Sequence, residues 1–194
     1  GQTSTADLHL EANESAFIVF SNEQETGLTD YSPTEKETLL TIDTPWKVDF
    51  QKGMRGPDET YVMTELQTWD KNEDERIRYF SGTATYTNTF KLKKQPDQPV
   101  WIDLGRVMVM ARVYVNNQYA GGVWTSPYRL NIQHLLHKGT NTLRVEVVNN
   151  WQNRLIGDQK LPENERPTWT SVNPWRADSP LQESGLVGPV RLLQ

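Results

Sequence analysis

From Tyr79 to Asn150 the chain alternates between apolar and polar residues in short runs. Thr83-Ala84-Thr85-Tyr86-Thr87-Asn88-Thr89-Phe90, Trp101-Ile102-Asp103-Leu104, Ala111-Arg112-Val113-Tyr114-Val115 and Thr142-Leu143-Arg144-Val145-Glu146-Val147 change polarity at nearly every residue. A period of two sends alternate side chains to opposite faces of a strand, one packed and one wetted. Turn-forming pairs separate the runs: Gly105-Arg106, Asn116-Asn117, Gly121-Gly122 and Lys138-Gly139. Short strands with regular turn signals predict an all-β fold, an antiparallel sandwich or barrel. No long amphipathic helix interrupts them, which argues against a βαβ fold.

The flanks add elements of weaker pattern. Leu8 to Phe20 reads as a first β element, with Ala16-Phe17-Ile18-Val19-Phe20 as its apolar part. Ser21 to Glu37 is polar and acidic and reads as a linker. Residues 1–38 are therefore expected to form an N-terminal strand and linker, standing apart like the remnant of a preceding domain, and 39–194 the main β-sandwich domain. Pro45 to Phe50 and Tyr61 to Met63 read as strands, Glu65 to Trp69 as a single helical turn, and the charge run Lys71 to Arg78 as a solvated loop. Arg129 to Leu136 reads as a short helix, closed by Lys138-Gly139 as a glycine cap. Trp151 to Glu183 has no sustained alternation and contains Pro162, Pro167, Pro174 and Pro180. Long irregular loops in compact domains are often functional. Gly188 to Leu193 then returns as a closing strand, which fits jelly-roll topology.

Composition narrows the function classes. A chain of 194 residues fits one domain with an appendage. It has no cysteine, so disulfides and thiolate metal sites are excluded. No apolar run approaches the roughly 20 residues that span a bilayer, so no membrane insertion is expected. A net charge of -5 disfavours nucleic acid as a partner. The seven tryptophans serve either as core or as exposed sugar-stacking platforms, and two or three are expected at the surface.

Tyr79-Phe80-Ser81-Gly82-Thr83-Ala84-Thr85-Tyr86, Asp103-Leu104-Gly105, Val113-Tyr114-Val115-Asn116-Asn117, Trp124-Thr125-Ser126-Pro127-Tyr128 and Gly139-Thr140-Asn141-Thr142-Leu143 together resemble the sugar-binding sandwich domain of family 2 glycoside hydrolases. The tail motifs Asn153-Arg154-Leu155-Ile156-Gly157-Asp158, Leu161-Pro162, Thr168-Trp169 and Ser184-Gly185-Leu186-Val187-Gly188-Pro189-Val190 resemble the C-terminal domain of family 106 bacterial α-L-rhamnosidases, and Leu10 to Phe20 the last strand of the domain before it. The resemblance implies a galactose-binding-domain-like jelly roll, a bacterial enzyme that is secreted or periplasmic, and degradation of plant polysaccharide. It also implies catalytic carboxylates on a separate barrel. This chain is too short for that barrel and lacks its βα alternation. The expected role is a non-catalytic module that supports its parent hydrolase and contacts carbohydrate. A free-standing carbohydrate-binding module and a packing domain without sugar affinity are the alternatives. The partner is accordingly a plant polysaccharide or oligosaccharide, or the parent's catalytic domain.

Sugar recognition calls for an aromatic ring against the pyranose face, with Asn, Asp or Arg on the hydroxyls. Trp151, Asn153, Arg154 and Asp158 offer that mix, and Trp169, Trp175 and Arg176 offer a second cluster. The competing reading makes Arg154 and Asp158 an ion pair that pins the loop, with the tryptophans capping the sandwich edge. In family 2 β-galactosidases the loop before the closing strand reaches the neighbouring active site, and the resemblance carries that role to Asp158 and Arg154. Trp124 is either a further platform or packed under the turn after it. Asp158, Glu163, Glu165 and Glu183 are the acidic residues closest to a hydrolytic pair, which needs two carboxyl groups facing each other across a sugar. His134 and His137 have helical i, i+3 spacing, read as an amphipathic helix rather than a metal site. No cofactor is expected; a structural calcium, which modules of this type often hold, stays open although no compact Asp/Asn-rich loop marks it.

Overall fold

The computed structural model describes Leu10, residues 15–18, Phe20 and residues 36–194. Its elements run β1 (Thr38–Thr41), β2 (Trp46–Phe50), β3 (Tyr61–Met63), α1 (Glu75–Arg78), β4 (Thr83–Leu92), β5 (Trp101–Asp103), β6 (Arg106–Met108), β7 (Met110–Val115), β8 (Gln118–Val123), β9 (Arg129–Asn131), β10 (Gly139–Val148), α2 (Gln152–Asp158), β11 (Gly185–Gly188) and β12 (Arg191–Leu193). Six strands form one sheet in the order β3-β2-β4-β10-β7-β8. Four form a second, β1-β12-β5-β9, and β11 pairs with β6. All strand pairings are antiparallel. The expected all-β antiparallel sandwich is what forms.

The alternation in sequence is the alternation in burial. β4 reads half-buried, buried, half-buried, buried along most of its length, and β10 repeats the pattern. The two pair over ten residues, from Gly139 opposite Leu92 to Val148 opposite Thr83. Their inward residues join those of the smaller sheet in a single core that includes Val48, Tyr86, Val145, Ile102, Ile132 and Leu192. Each such side chain contributes roughly 1.5–3 kcal/mol by leaving water. Within it Phe50, Trp69 and Phe80 meet edge to face, with centroids 4.8 to 5.8 Å apart. Trp69 and Tyr86 are fully buried. Buried polar groups need partners, and these have them: the Tyr86 hydroxyl accepts from Trp69 Nε1–H at 2.6 Å and from Leu186 N–H at 3.2 Å.

The structure corrects five local expectations. Glu65 to Trp69 is not a helical turn; the 3-10 turn falls at Trp69–Lys71. The charge run Lys71 to Arg78 is not a loop throughout: Asp74 caps α1 by accepting the Arg76 N–H, and Ile77 points into the core. Arg129 to Leu136 is not a helix but the strand β9 followed by one 3-10 turn, Gln133–Leu135. β9 is recruited by pairing with β5, a tertiary contact that overrides local helix spacing. Gly139 caps no helix; at φ +98° it opens β10. The tail expected to be irregular begins with a helix, α2. Of the first β element expected over Leu8 to Phe20, most lies outside the described residues; Ser15 to Ile18 carry no strand assignment, and Phe17 is exposed.

Candidate functional site

α2 is the anchor of the long tail. The strand β10 ends in Asn149-Asn150, whose side chains fasten the start of the tail. Asn149 Nδ2 donates to the Phe80 carbonyl at 2.8 Å, and its Oδ1 accepts the Gly82 N–H at 3.0 Å. Asn150 Oδ1 accepts the Gln152 N–H at 3.1 Å, and the Ser81 hydroxyl donates to the Asn150 carbonyl. Gly157 lies against the Tyr79 ring so closely that a Cβ there would sit 2.7 Å from the ring. Lys160 covers that ring at 4.8 Å, and its hydrogen bond to Tyr79 holds the ammonium above its usual range.

Asn153 and Asp158 are buried and bonded within the protein. Asn153 Nδ2 donates to the Gln182 carbonyl at 2.7 Å, while its Oδ1 accepts the Gln182 N–H at 2.8 Å. Asp158 Oδ1 accepts from Arg154 at 2.8 Å through both Nε and Nη2, and its Oδ2 accepts the Thr168 N–H at 3.2 Å. The tail therefore leaves from the C-terminal end of α2, fastened at Thr168, and returns to its N-terminal end, fastened at Gln182. Arg154 and Asp158 form the ion pair of the loop-pinning reading, and Asn153, named only as a sugar contact, also holds this excursion in place. Glu183 pairs with Arg106, and Glu163 and Glu165 are exposed on a 3-10 turn.

The aromatic candidates divide differently. Trp124, Trp151 and Trp169 are 70%, 51% and 87% exposed, the two or three surface rings anticipated. Trp175 is half-buried and Arg176 exposed. Trp124 is not packed under its turn. The β7–β8 register ends at Ala111 opposite Val123, so the next step sets Trp124 beside Met110. Met110 in turn faces Val148 on β10, three residues before Trp151. Val109 completes the group through its N–H, donated to Val148 at 3.1 Å. Val109 and Met110 are both exposed. Two strand spacings, about 10 Å, separate the ends of β8 and β10. The strand ends that lead into Trp124 and Trp151 thus lie at one end of the six-stranded sheet, with Val109 and Met110 at the start of β7 between those two strands. In the sequence the tryptophans stand as separate candidates, and no local signal marks the two aliphatic residues between them. At roughly 200 Å² per indole, the two rings expose on the order of 250 Å². Amide and hydroxyl groups of Asn150, Gln152, Thr125 and Ser126 flank them in sequence. His134 and His137 are exposed, and no group of three or more potential metal-binding side chains occurs among the described residues.

A six-stranded and a four-stranded antiparallel sheet closing on one core define the class: an all-β sandwich. The family profile described as glycosyl hydrolase 2 galactose-binding domain-like matches residues 61–180. The chain belongs to this family. A rhamnosidase from Novosphingobium sp. PP1Y is 41% identical in sequence, superposes with a TM-score of 0.77, and matches 85% of this chain over 16% of its own. A Formosa agariphila protein provisionally named as a beta-glucuronidase is 36% identical over 154 residues, covering 66% of this chain and 13% of its own length. A β-glucuronidase from Ruminococcus gnavus, solved with D-glucuronic acid, shares the fold at 17% identity and a TM-score of 0.58, over 86% of this chain and 30% of its own. The chain thus spans between about an eighth and a third of the length of these relatives.

Proposed function

We propose that this chain is a non-catalytic β-sandwich module of a larger glycoside hydrolase, secreted or periplasmic, acting on plant polysaccharide. Its catalytic carboxylates belong to another domain of the parent enzyme. One observation carries the reading. The carboxylate best placed in the tail, Asp158, is buried and committed to Arg154 and Thr168, while the tryptophans are left outside. A hydrolytic site needs its carboxyl groups open to the sugar. A sugar-contacting module needs open rings and nearby hydrogen-bonding groups. The exposed rings of Trp124 and Trp151 meet the first need and the Thr125 and Ser126 hydroxyls the second, which supports carbohydrate contact there rather than at the Arg154–Asp158 pair.

The test is a calorimetric titration of the chain against rhamnose, galactose and pectic oligosaccharides, with and without calcium. Saturable binding that W124A and W151A abolish is the expected result. A well-folded chain that binds none of them favours the second reading, a packing domain. The apolar pair Val109 and Met110 between the tryptophans supports that reading.

A further inference from the structure

At the far end of the sandwich lies a feature that the carbohydrate reading does not use. β4 and β10 run side by side for ten residues, about 33 Å. The tryptophan end face lies where β4 begins; where β4 ends, two adjoining cavities of about 460 and 450 Å³ share Leu39 and Gln194. They form a trough between β1 and the β4–β5 connection. Its apolar lining is Leu39, Leu40, Leu92 and Pro96, and Lys91, Lys93 and Lys94 stand on its rim. Among the described residues β1 is an edge strand, paired only with β12, and Leu39 on it is 46% exposed. Open edges and exposed apolar grooves are sites of attachment.

We propose that the run Ala16-Phe17-Ile18-Val19-Phe20 of this same chain docks in the trough. Three observations select this occupant. Phe17, Ile18 and Phe20 are 97%, 54% and 82% exposed, the densest uncovered apolar group among the described residues. The charges are complementary. Residues 1–35 hold seven carboxylates and neither lysine nor arginine, which leaves 18 acidic residues against all 20 basic ones in the remainder, a formal charge of +2. The tether is sufficient: the sixteen residues from Ser21 to Lys36 lead directly into β1 and reach up to about 50 Å when extended. Docking buries the aromatic rings against leucine and proline and sets the acidic flanks among the rim lysines, an attraction that salt weakens.

The absence of native cysteine makes a cross-linking test clean. Cysteines are introduced at Ser15 together with either Lys93 or Gln98, at the two sides of the trough, in the full chain. The control pair joins Ser15 to Thr87, on the outer face of the six-stranded sheet. The expected result is an intramolecular disulfide, in one of the trough pairs, forming at least tenfold faster than in the control. F17D/F20D in the same background slows it to the control rate, and K91E/K94E slows it severalfold with no change in melting temperature. Equal rates in trough and control pairs overturn the proposal. So does a disulfide found only in covalent dimers, which makes a second copy the occupant. None of these outcomes depends on whether the chain binds sugar.

Discussion

Asn153 and Gln182 face each other as two residues of a β-ladder would, one N–H donated in each direction, although one partner uses its side chain. Twenty-eight residues lie between them, and this contact, with the bond from Asn150 Nδ2 to Gln182 Oε1, sets where the excursion rejoins the sandwich. N153A removes the partner of the Gln182 N–H and leaves its carbonyl only the Ser184 hydroxyl at 3.4 Å; because Gln182 itself is exposed and water can reach it, the loss is about 1 kcal/mol. A urea titration should show lower stability with an unchanged slope. An unchanged midpoint combined with weaker glycan binding would instead make Asn153 a ligand contact.

D158A breaks a pair whose side chains are 12% and 2% exposed. Removing one partner of such a pair costs about 3–5 kcal/mol, because the other charge stays buried. The melting temperature should fall on the order of 10 °C for a chain of this size. If it holds steady, the pair is not what pins the tail.

W124A and W151A remove rings that are mostly in water, so each should shift stability by less than about 0.5 kcal/mol. Both should weaken glycan binding at least tenfold by calorimetric titration. Loss of binding in one variant only would confine the contact to that ring.

G185A should be severe. Gly185 has φ +103°, and a Cβ there would lie 2.5 Å from Trp69 Nε1, the atom that bonds the Tyr86 hydroxyl. Left-handed strain and overpacking each cost about 1–3 kcal/mol. Intrinsic tryptophan fluorescence and thermal unfolding report the two effects together, and a wild-type melting curve would refute the steric argument.

Burial pushes the Tyr86 phenol well above its ordinary value of 10.0, only partly opposed by the bonds it accepts from Leu186 and Trp69. The fold binds the neutral form, so its contribution is complete below about pH 10. It is lost progressively as the pH rises and the unfolded chain alone releases the proton. Stability should therefore drop between about pH 10 and 12. Y86F should flatten that slope while costing roughly 1–3 kcal/mol at neutral pH, where two donors lose their acceptor. A slope unchanged by Y86F would assign alkaline sensitivity elsewhere.

The sandwich was legible because period-two alternation is written residue by residue in Thr83–Phe90 and Thr142–Val147. The hairpin turn was legible too: Asn116 and Asn117 take φ +51° and +64°, as a two-residue connection with a right-handed twist requires. The register of β8 beyond that turn was not. Counting back from the turn places Trp124 one residue past Met110, but a bulge between Val113 and Tyr114 shifts the ladder and brings the two level. Nothing in the local residue types announces that shift, so the end face that unites Trp124 with Trp151 came only from the fold. β9 was hidden for a related reason, since three residues of mixed polarity carry no period and are held by β5. The tail was half legible. The ion pair of Arg154 and Asp158 was one of two readings of those residues, but the helix that carries it was not foreseen, and the return of Gln182 to Asn153 is a long-range contact with no sequence signal.

Glu37 and Gln194 exchange backbone hydrogen bonds in both directions, at 2.8 and 2.9 Å. The polypeptide thus enters and leaves the sandwich at one point, beside the edge pair β1 and β12. Mechanically the module is a pendant. Tension applied between residues 37 and 194 would load the β1–β12 bonds one at a time, as in a zipper, and leave the ten-residue seam between β4 and β10 out of the load path. The first event under force is release of β1, which uncovers the closing strand while the tryptophan end, on the opposite pole, keeps its shape.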